Sequence, residues 1–167
     1  MEKGRALTVK KKLPFLLISI AVLILDQWTK KLIASSMFLG ESQRIIGDVV
    51  RFTYIRNPNS VFGLRLGGPI ISTVLTVIAF LFVVYLFVVA KNPIFLTSIS
   101  FIIGGALGNL VDRIFYMEVV DFIEIGVGRF RWPTFNMADS FVTIGIILVI
   151  IHWFLEYRYD NSSSNFV

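Results

Sequence analysis

The run PIISTVLTVIAFLFVVYLFVVA, residues 69–90, decides the fold class. A helix needs about 20 mostly apolar residues to cross the hydrocarbon core of a bilayer, and this run supplies them without one charged side chain. The rest of the 167-residue chain agrees: 56% of it is hydrophobic, 16% is charged, and the mean hydropathy is +0.78. That is too apolar for an ordinary soluble domain.

Working outward, three more runs have the same character, at residues 13–28, 95–115 and 141–157. Lys91, Asn92 and Pro93 leave only a minimal turn between the second and third spans, and the chain ends in a polar tail, NSSSN. The first span, with its Lys-rich start, has the outline of a cleaved leader. We read it as a retained helix, because DQWTKKLIA continues it with helical spacing and carries polar residues. The expected architecture is therefore a mainly α membrane protein with four transmembrane helices in one membrane-embedded domain over residues 1–167.

Two extramembrane segments carry a different period. In residues 41–66, Phe52 and Tyr54 alternate with Arg51, Thr53 and Arg56, and a second alternating run covers residues 60–66. Asn57-Pro58-Asn59 between them is turn chemistry. Residues 118–133 hold a third β-like run, EVVDFIEI, and a fourth candidate, RFRWP. A small extracytoplasmic antiparallel β-sheet is expected, with Phe52, Tyr54, Phe62 and Trp132 seating it at headgroup level. No internal repeat or low-complexity tract is visible.

Residues 3–12, KGRALTVKKK, place a dense basic cluster before the first span. The basic count on the other side is larger, but a dense N-terminal cluster usually dominates topology, so both termini are expected in the cytoplasm. The net charge of +5 is read as topology and headgroup contact, and no nucleic-acid partner is expected.

The chain has no cysteine and one histidine, His152, inside an apolar run. Thiolate nucleophiles and multi-histidine zinc sites are excluded by inventory, and the apolar setting of the single histidine argues against a Ser-His-Asp triad. His152 is expected to pack rather than catalyse.

Four spans fix which polar residues share a side. Asp26 lies near the end of span one, Asp112 and Arg113 near the end of span three, Asp121 in the following loop, and Asp139 just before span four. At about 1.5 Å per residue, Asp112 lies roughly 25 Å along the third helix from Phe95, close to the far interface. All these residues meet at one face, which also holds the β region; with N-in topology it faces outward. Each has an ordinary explanation. Asp139 and Ser140 suit a helix cap, Asp26 and Lys30 an i,i+4 ion pair, Arg113 snorkelling, and Asn109 helix packing beside Gly104, Gly105 and Ala106. As a set these explanations fail, because ionisable groups near bilayer depth are costly and usually functional.

Three chemistries use carboxylates without histidine or cysteine. An aspartic dyad shares a proton and activates water. A carboxylate pair can instead hold a divalent cation for a membrane transferase. A proton- or cation-coupled transporter places carboxylates near mid-membrane, which fits least well here; a non-enzymatic assembly module is a further competing reading. The pattern alone leaves the first two open.

LDQWTK at 25–30, RNPNSVFG at 56–63, GGALGNLVDRI at 104–114, VVDFIEI at 119–125 and FNMADS at 135–140 resemble the lipoprotein signal peptidases, or signal peptidase II, through nearly the whole chain. The resemblance implies a membrane aspartic endopeptidase of the bacterial cytoplasmic (inner) membrane, with no cofactor or metal. It implies as partners membrane lipids and prolipoproteins bearing a diacylglyceryl cysteine, cut just before that cysteine. It carries the catalytic dyad onto Asp121 and Asp139. Asp26, Lys30, Asn57, Asn109, Asp112, Arg113 and Asn136 become residues that bind substrate or support the site. One departure is visible: the family's usual N-x-G-x-A-F is Asn57-Pro58-Asn59-Ser60-Val61-Phe62 here. Asn59 is expected to take the left-handed position of a type II turn after Pro58.

Overall fold

The structure, a computed structural model, describes residues 9–58, 60, 61, 64, 65 and 68–164. Asn59 and Phe62 lie outside the described residues, and with them the left-handed turn and the headgroup contact expected of each.

Helix α1 (Val9–Ser36) leads into strands β1 (Ser42–Ile46) and β2 (Val50–Asn57), followed by the short pair β3 (Ser60–Val61) and β4 (Leu64–Arg65). Helices α2 (Pro69–Val89) and α3 (Pro93–Tyr116) follow, then β5 (Val119–Val127), β6 (Phe130–Arg131) and α4 (Met137–Ser164). All four helices are long and apolar enough to cross a membrane. The outer faces of α1, α2 and α4 expose Ile20, Ile24, Ile78, Phe82, Ile147 and Ile150, as lipid contact requires.

Helix α3 is the centre of the bundle. Lipid is as apolar as leucine, so helices in it associate by close packing and hydrogen bonds rather than by hydrophobic burial. A Cβ at Gly104 would stand 2.6 Å from Ser19 O and Val22 Cβ of α1. One at Gly105 would collide with Ala138 O of α4, and one at Gly108 with the Asp26 carboxylate. These glycines serve packing; of the small residues on that face only Ala106 lines the cleft described below. Near the other end, Leu96, Ile99 and Ile103 of α3 pack with Phe87 and Ala90. The α2–α3 turn is closed by Asn92, whose Oδ1 accepts from the Ile94 N–H at 2.8 Å.

Lys12, counted among the topology-setting charges, is buried. Its Nζ donates to Phe87 O at 2.7 Å and Val88 O at 2.6 Å, closing the C-terminal carbonyls of α2. His152 packs 5.9 Å from the Phe95 ring and 3.4 Å from Glu156.

Helix α1 runs well past the expected end of its span at residue 28. The extra turns carry Ile33 and lead into Met37, and both pack with Tyr54 and Phe122 and so seat the sheet on the bundle. The sheet has the order β1-β2-β5-β6, with antiparallel neighbours. Among the described residues, β2 does not pair with the run that follows it: β2 pairs with β1 and β5, while β3 pairs with β4 separately. The β1–β2 hairpin instead turns through Gly47, at φ 52°, and Asp48.

Two of the expected headgroup contacts are corrected. Tyr54 is 5% exposed, and Phe52 meets the Phe122 ring edge-on at 5.7 Å, so both face the core. Trp132 is 69% exposed, at the rim of the cleft.

Candidate active site

The first turn of α4 is built by a reciprocal cap. Asn136 Oδ1 accepts from the Asp139 N–H at 3.0 Å, and Asp139 Oδ2 accepts from the Asn136 N–H at 3.3 Å. The cap residue is therefore Asn136, not Asp139 or Ser140 as the sequence suggested. Asp139 sits at the third helical position, and Ser140 Oγ donates to Asn136 O at 3.0 Å. This frees the Asp139 carboxylate to turn its other oxygen into the bundle, where Oδ1 accepts from Asn109 Nδ2 at 2.8 Å.

Asp121 is the third residue of β5, which begins where α3 hands the chain to the sheet through Met117 and Glu118. It is 2% exposed. Its Oδ2 accepts from Asn57 Nδ2 at 2.8 Å, and its Oδ1 from Asn136 Nδ2 at 2.7 Å. Asn136 thus touches both carboxylates, one through its side chain and one through its backbone. Burial, reinforced by the charge of nearby Asp139, lifts the Asp121 carboxyl out of the usual range to about 7; the amide donors and Lys30 oppose the rise.

Behind this pair lies a second polar layer on α1 and α3. Lys30 Nζ is 2.8 Å from Asp26 Oδ2 and 2.9 Å from Asp112 Oδ2, and donates to Asn109 Oδ1 at 2.9 Å. Asp26 Oδ1 accepts from the Ala138 N–H at 2.8 Å, tying α1 to the start of α4. Asp112 Oδ2 also accepts from the Val120 N–H at 3.4 Å, tying α3 to the strand that carries Asp121. Buried charges are tolerable only when paired and hydrogen-bonded, and here they are. Arg113 is 4% exposed and lines the same cleft as Asn109, Asp121 and Asp139.

All nine residues singled out from the sequence therefore meet at one end of the bundle. One contact residue was missed. Gln27 Nε2 donates to Asp112 Oδ1 and to Gly108 O, both at 3.0 Å. The signal was its position inside DQWTK, between Asp26 and Lys30.

The pair opens onto a cleft of about 790 Å³. Leu75, Ala79, Phe80 and Val83 of α2 form one wall, Val142, Thr143 and Ile144 of α4 the other, and Ile102 and Ala106 of α3 the floor. The Thr76 and Thr143 hydroxyls bond back to Ser72 O and Asp139 O of their own helices, so the walls are apolar. The polar end holds Asn57, Asn109, Arg113, Asp121, Asp139 and Ser140. Two buried carboxyls linked in this way can hold one proton between them, with one acting as acid and the other as base. No cluster of three or more His, Cys, Asp or Glu side chains suited to a metal ion occurs among the described residues.

Four membrane-crossing helices with this pair at the end of an apolar cleft define a multi-pass membrane enzyme. Two solved bacterial membrane enzyme structures, determined by the in meso method, share the architecture. The one at 2.3 Å resolution superposes with a TM-score of 0.79 at 34% identity, covering 92% of this chain and 93% of that one. The one at 1.9 Å resolution gives 0.75 at 34% identity, covering 91% and 97%. Residues 18–155 match the family described as signal peptidase (SPase) II. The lipoprotein signal peptidase of Syntrophus aciditrophicus (strain SB) is 38% identical over 146 residues, covering 82% of this chain and 89% of that protein. That of Geobacillus kaustophilus (strain HTA426) is 41% identical over 139 residues, covering 82% and 90%. The chain belongs to the signal peptidase II family, peptidases that remove signal peptides from prolipoproteins.

Proposed function

We propose that this protein is an aspartic endopeptidase with Asp121 and Asp139 as its dyad. On this proposal it cuts diacylglyceryl-modified prolipoproteins just before the lipidated cysteine. The observation that carries the proposal is the joining of the two carboxylates through Asn136 at the polar end of an apolar cleft.

In the proposed mechanism Asp121 holds the shared proton at neutral pH, as its raised pKa favours. The ionised Asp139 takes a proton from water, and the resulting hydroxide attacks the scissile carbonyl carbon. Asp121 hydrogen-bonds the carbonyl oxygen as it gains charge. The tetrahedral intermediate collapses with cleavage of the C–N bond, and the departing amine takes a proton from the dyad. Asn57, Asn109 and Asn136 hold the two carboxylates in place; Asp26, Lys30 and Asp112 hold Asn109 and the flanking backbone. Arg113 orients substrate or the polar network.

The signal helix enters sideways from lipid between α2 and α4, where apolar walls suit an apolar helix. The protein lies in the bacterial cytoplasmic membrane with both termini cytoplasmic and the dyad facing outward, and acts as a single peptidase domain. A metal-dependent transferase is less well supported, because all four dyad oxygens already accept hydrogen bonds from N–H donors.

The test is incubation of the purified protein with a lipid-modified and an unmodified prolipoprotein, each with and without chelator, with the product N-terminus read by mass spectrometry. The modified substrate should be cut before its cysteine regardless of chelator. Equal cutting of the unmodified form would remove the lipid requirement. Loss of cleavage on chelation, restored by a divalent ion, would establish the metal mechanism.

A further inference from the structure

We infer that Gln27 is a positioning residue for the dyad, acting through Asp112 and the backbone of β5. The inference rests on the dyad proposed above. Gln27 sits on α1 directly after Asp26, and its side chain crosses to α3 where the helices pack closely enough that a Cβ on Gly108 would strike the Asp26 carboxylate. There Nε2 donates to Gly108 O and to Asp112 Oδ1, both at 3.0 Å, and lies 3.3 Å from Asp26 Oδ2.

The consequence follows from what Asp112 does with its other oxygen. Oδ2 meets Lys30 at 2.9 Å and accepts from the Val120 N–H at 3.4 Å. Val120 O accepts from Asn136 Nδ2 at 3.3 Å. Val120 precedes Asp121 in the strand, so its amide and carbonyl anchor the backbone that carries the Asp121 carboxyl. Gln27 fixes the carboxylate plane of Asp112 and directs Oδ2 at Lys30 and β5. Without this donor, Lys30 alone would compete with the strand for Asp112, and β5 would lose its tie to α3.

Lys30 Nζ pairs with both Asp26 and Asp112, so the two carboxylates share one cation. A neutral donor at position 27 therefore serves both carboxylates without adding charge. Glutamate there would place a third acceptor against them, and asparagine would stop one methylene short of α3.

The experiment compares Gln27→Leu and Gln27→Asn with the unaltered protein in detergent, on the lipid-modified prolipoprotein, measuring kcat, KM, the pH profile of kcat and thermal unfolding. Misplacing a reacting group by a fraction of an ångström to an ångström costs rate rather than binding, so kcat should fall about 10- to 100-fold, with KM within about twofold. The alkaline limb of kcat should also move to lower pH, because a loosened β5 admits water to Asp121. A loss of kcat that matches only the loss of folded protein, with the alkaline limb unmoved, would overturn the inference. So would a rise in KM alone, or failure of both variants to insert, since either marks a binding or purely structural residue. Asp121→Asn is run alongside. If it retains turnover, the dyad itself is wrong; if it is inactive while the Gln27 variants behave as the unaltered protein, only the role of Gln27 is wrong.

Discussion

The side-chain nitrogen of Asn136 lies 2.7 Å from Oδ1 of Asp121. The same residue caps α4 and bonds Asp139, so one amide fixes the spacing of the two carboxylates across a strand and a helix. Asn136→Asp keeps an oxygen for the Asp139 N–H, and aspartate caps helices well. It replaces the donor facing Asp121 with an acceptor that carries charge. The variant should insert, and kcat should fall by at least ~100-fold, the scale of a displaced acid–base group. Steady-state cleavage of the lipid-modified substrate checks this; turnover within a few-fold of normal would show that the amide donor is dispensable.

The pH profile follows from Asp121. Burial and the neighbouring Asp139 charge favour its protonated form, so the proton persists well above the usual carboxylate range and leaves as pH rises through about 7. A dyad needs one proton to polarise the carbonyl. The rate should therefore decline on the alkaline side with an apparent pKa near 7, a value that belongs to the coupled pair. A kcat that stays level several units above neutrality would contradict it.

Arg113 is buried and lines the cleft beside both carboxylates. Lysine in its place keeps the charge but loses the planar fork of donors. Arg113→Lys should insert normally and lose much of kcat. If lysine works as well as arginine, only the charge matters. Parallel thermal unfolding and turnover measurements separate the two cases.

Gly108→Ala tests the second layer. The added methyl would meet the Asp26 carboxylate, which pairs with Lys30 and holds the Ala138 N–H. Overpacking typically costs about 1–3 kcal/mol, so the variant should unfold at a clearly lower temperature in detergent. An unchanged unfolding temperature would mean that α1 and α3 separate there without loss.

Much of this was legible in the sequence because bilayer thickness imposes it. Mostly apolar runs of spanning length gave the four helices, and parity alone put Asp26, Asp112, Asp121 and Asp139 on one side. What escaped depends on side-chain direction. Phe52 and Tyr54 alternate as expected of a strand, but period two does not say which face turns inward; Ile33, on the turns of α1 beyond the expected span, and Met37, just after the helix, decide it by packing against them. The helix cap was misplaced by three residues, because Asn136 and Asp139 are both good capping types and only the hydrogen bonds separate them. Gln27 was passed over because one glutamine between two charged residues carries no pattern of its own. The hairpin at Gly47-Asp48 was hidden by a pairing that seemed to belong to Asn57-Pro58-Asn59.

The most direct test of the dyad is the cleavage rate of Asp121→Asn and Asp139→Asn on a diacylglyceryl-modified prolipoprotein, with insertion and thermal unfolding measured on the same preparations. Asparagine keeps the volume of each side chain but cannot share or transfer the proton. Both variants should fold and insert, and each should lose cleavage to background. Near-normal turnover in either folded variant would remove that carboxylate from the chemistry.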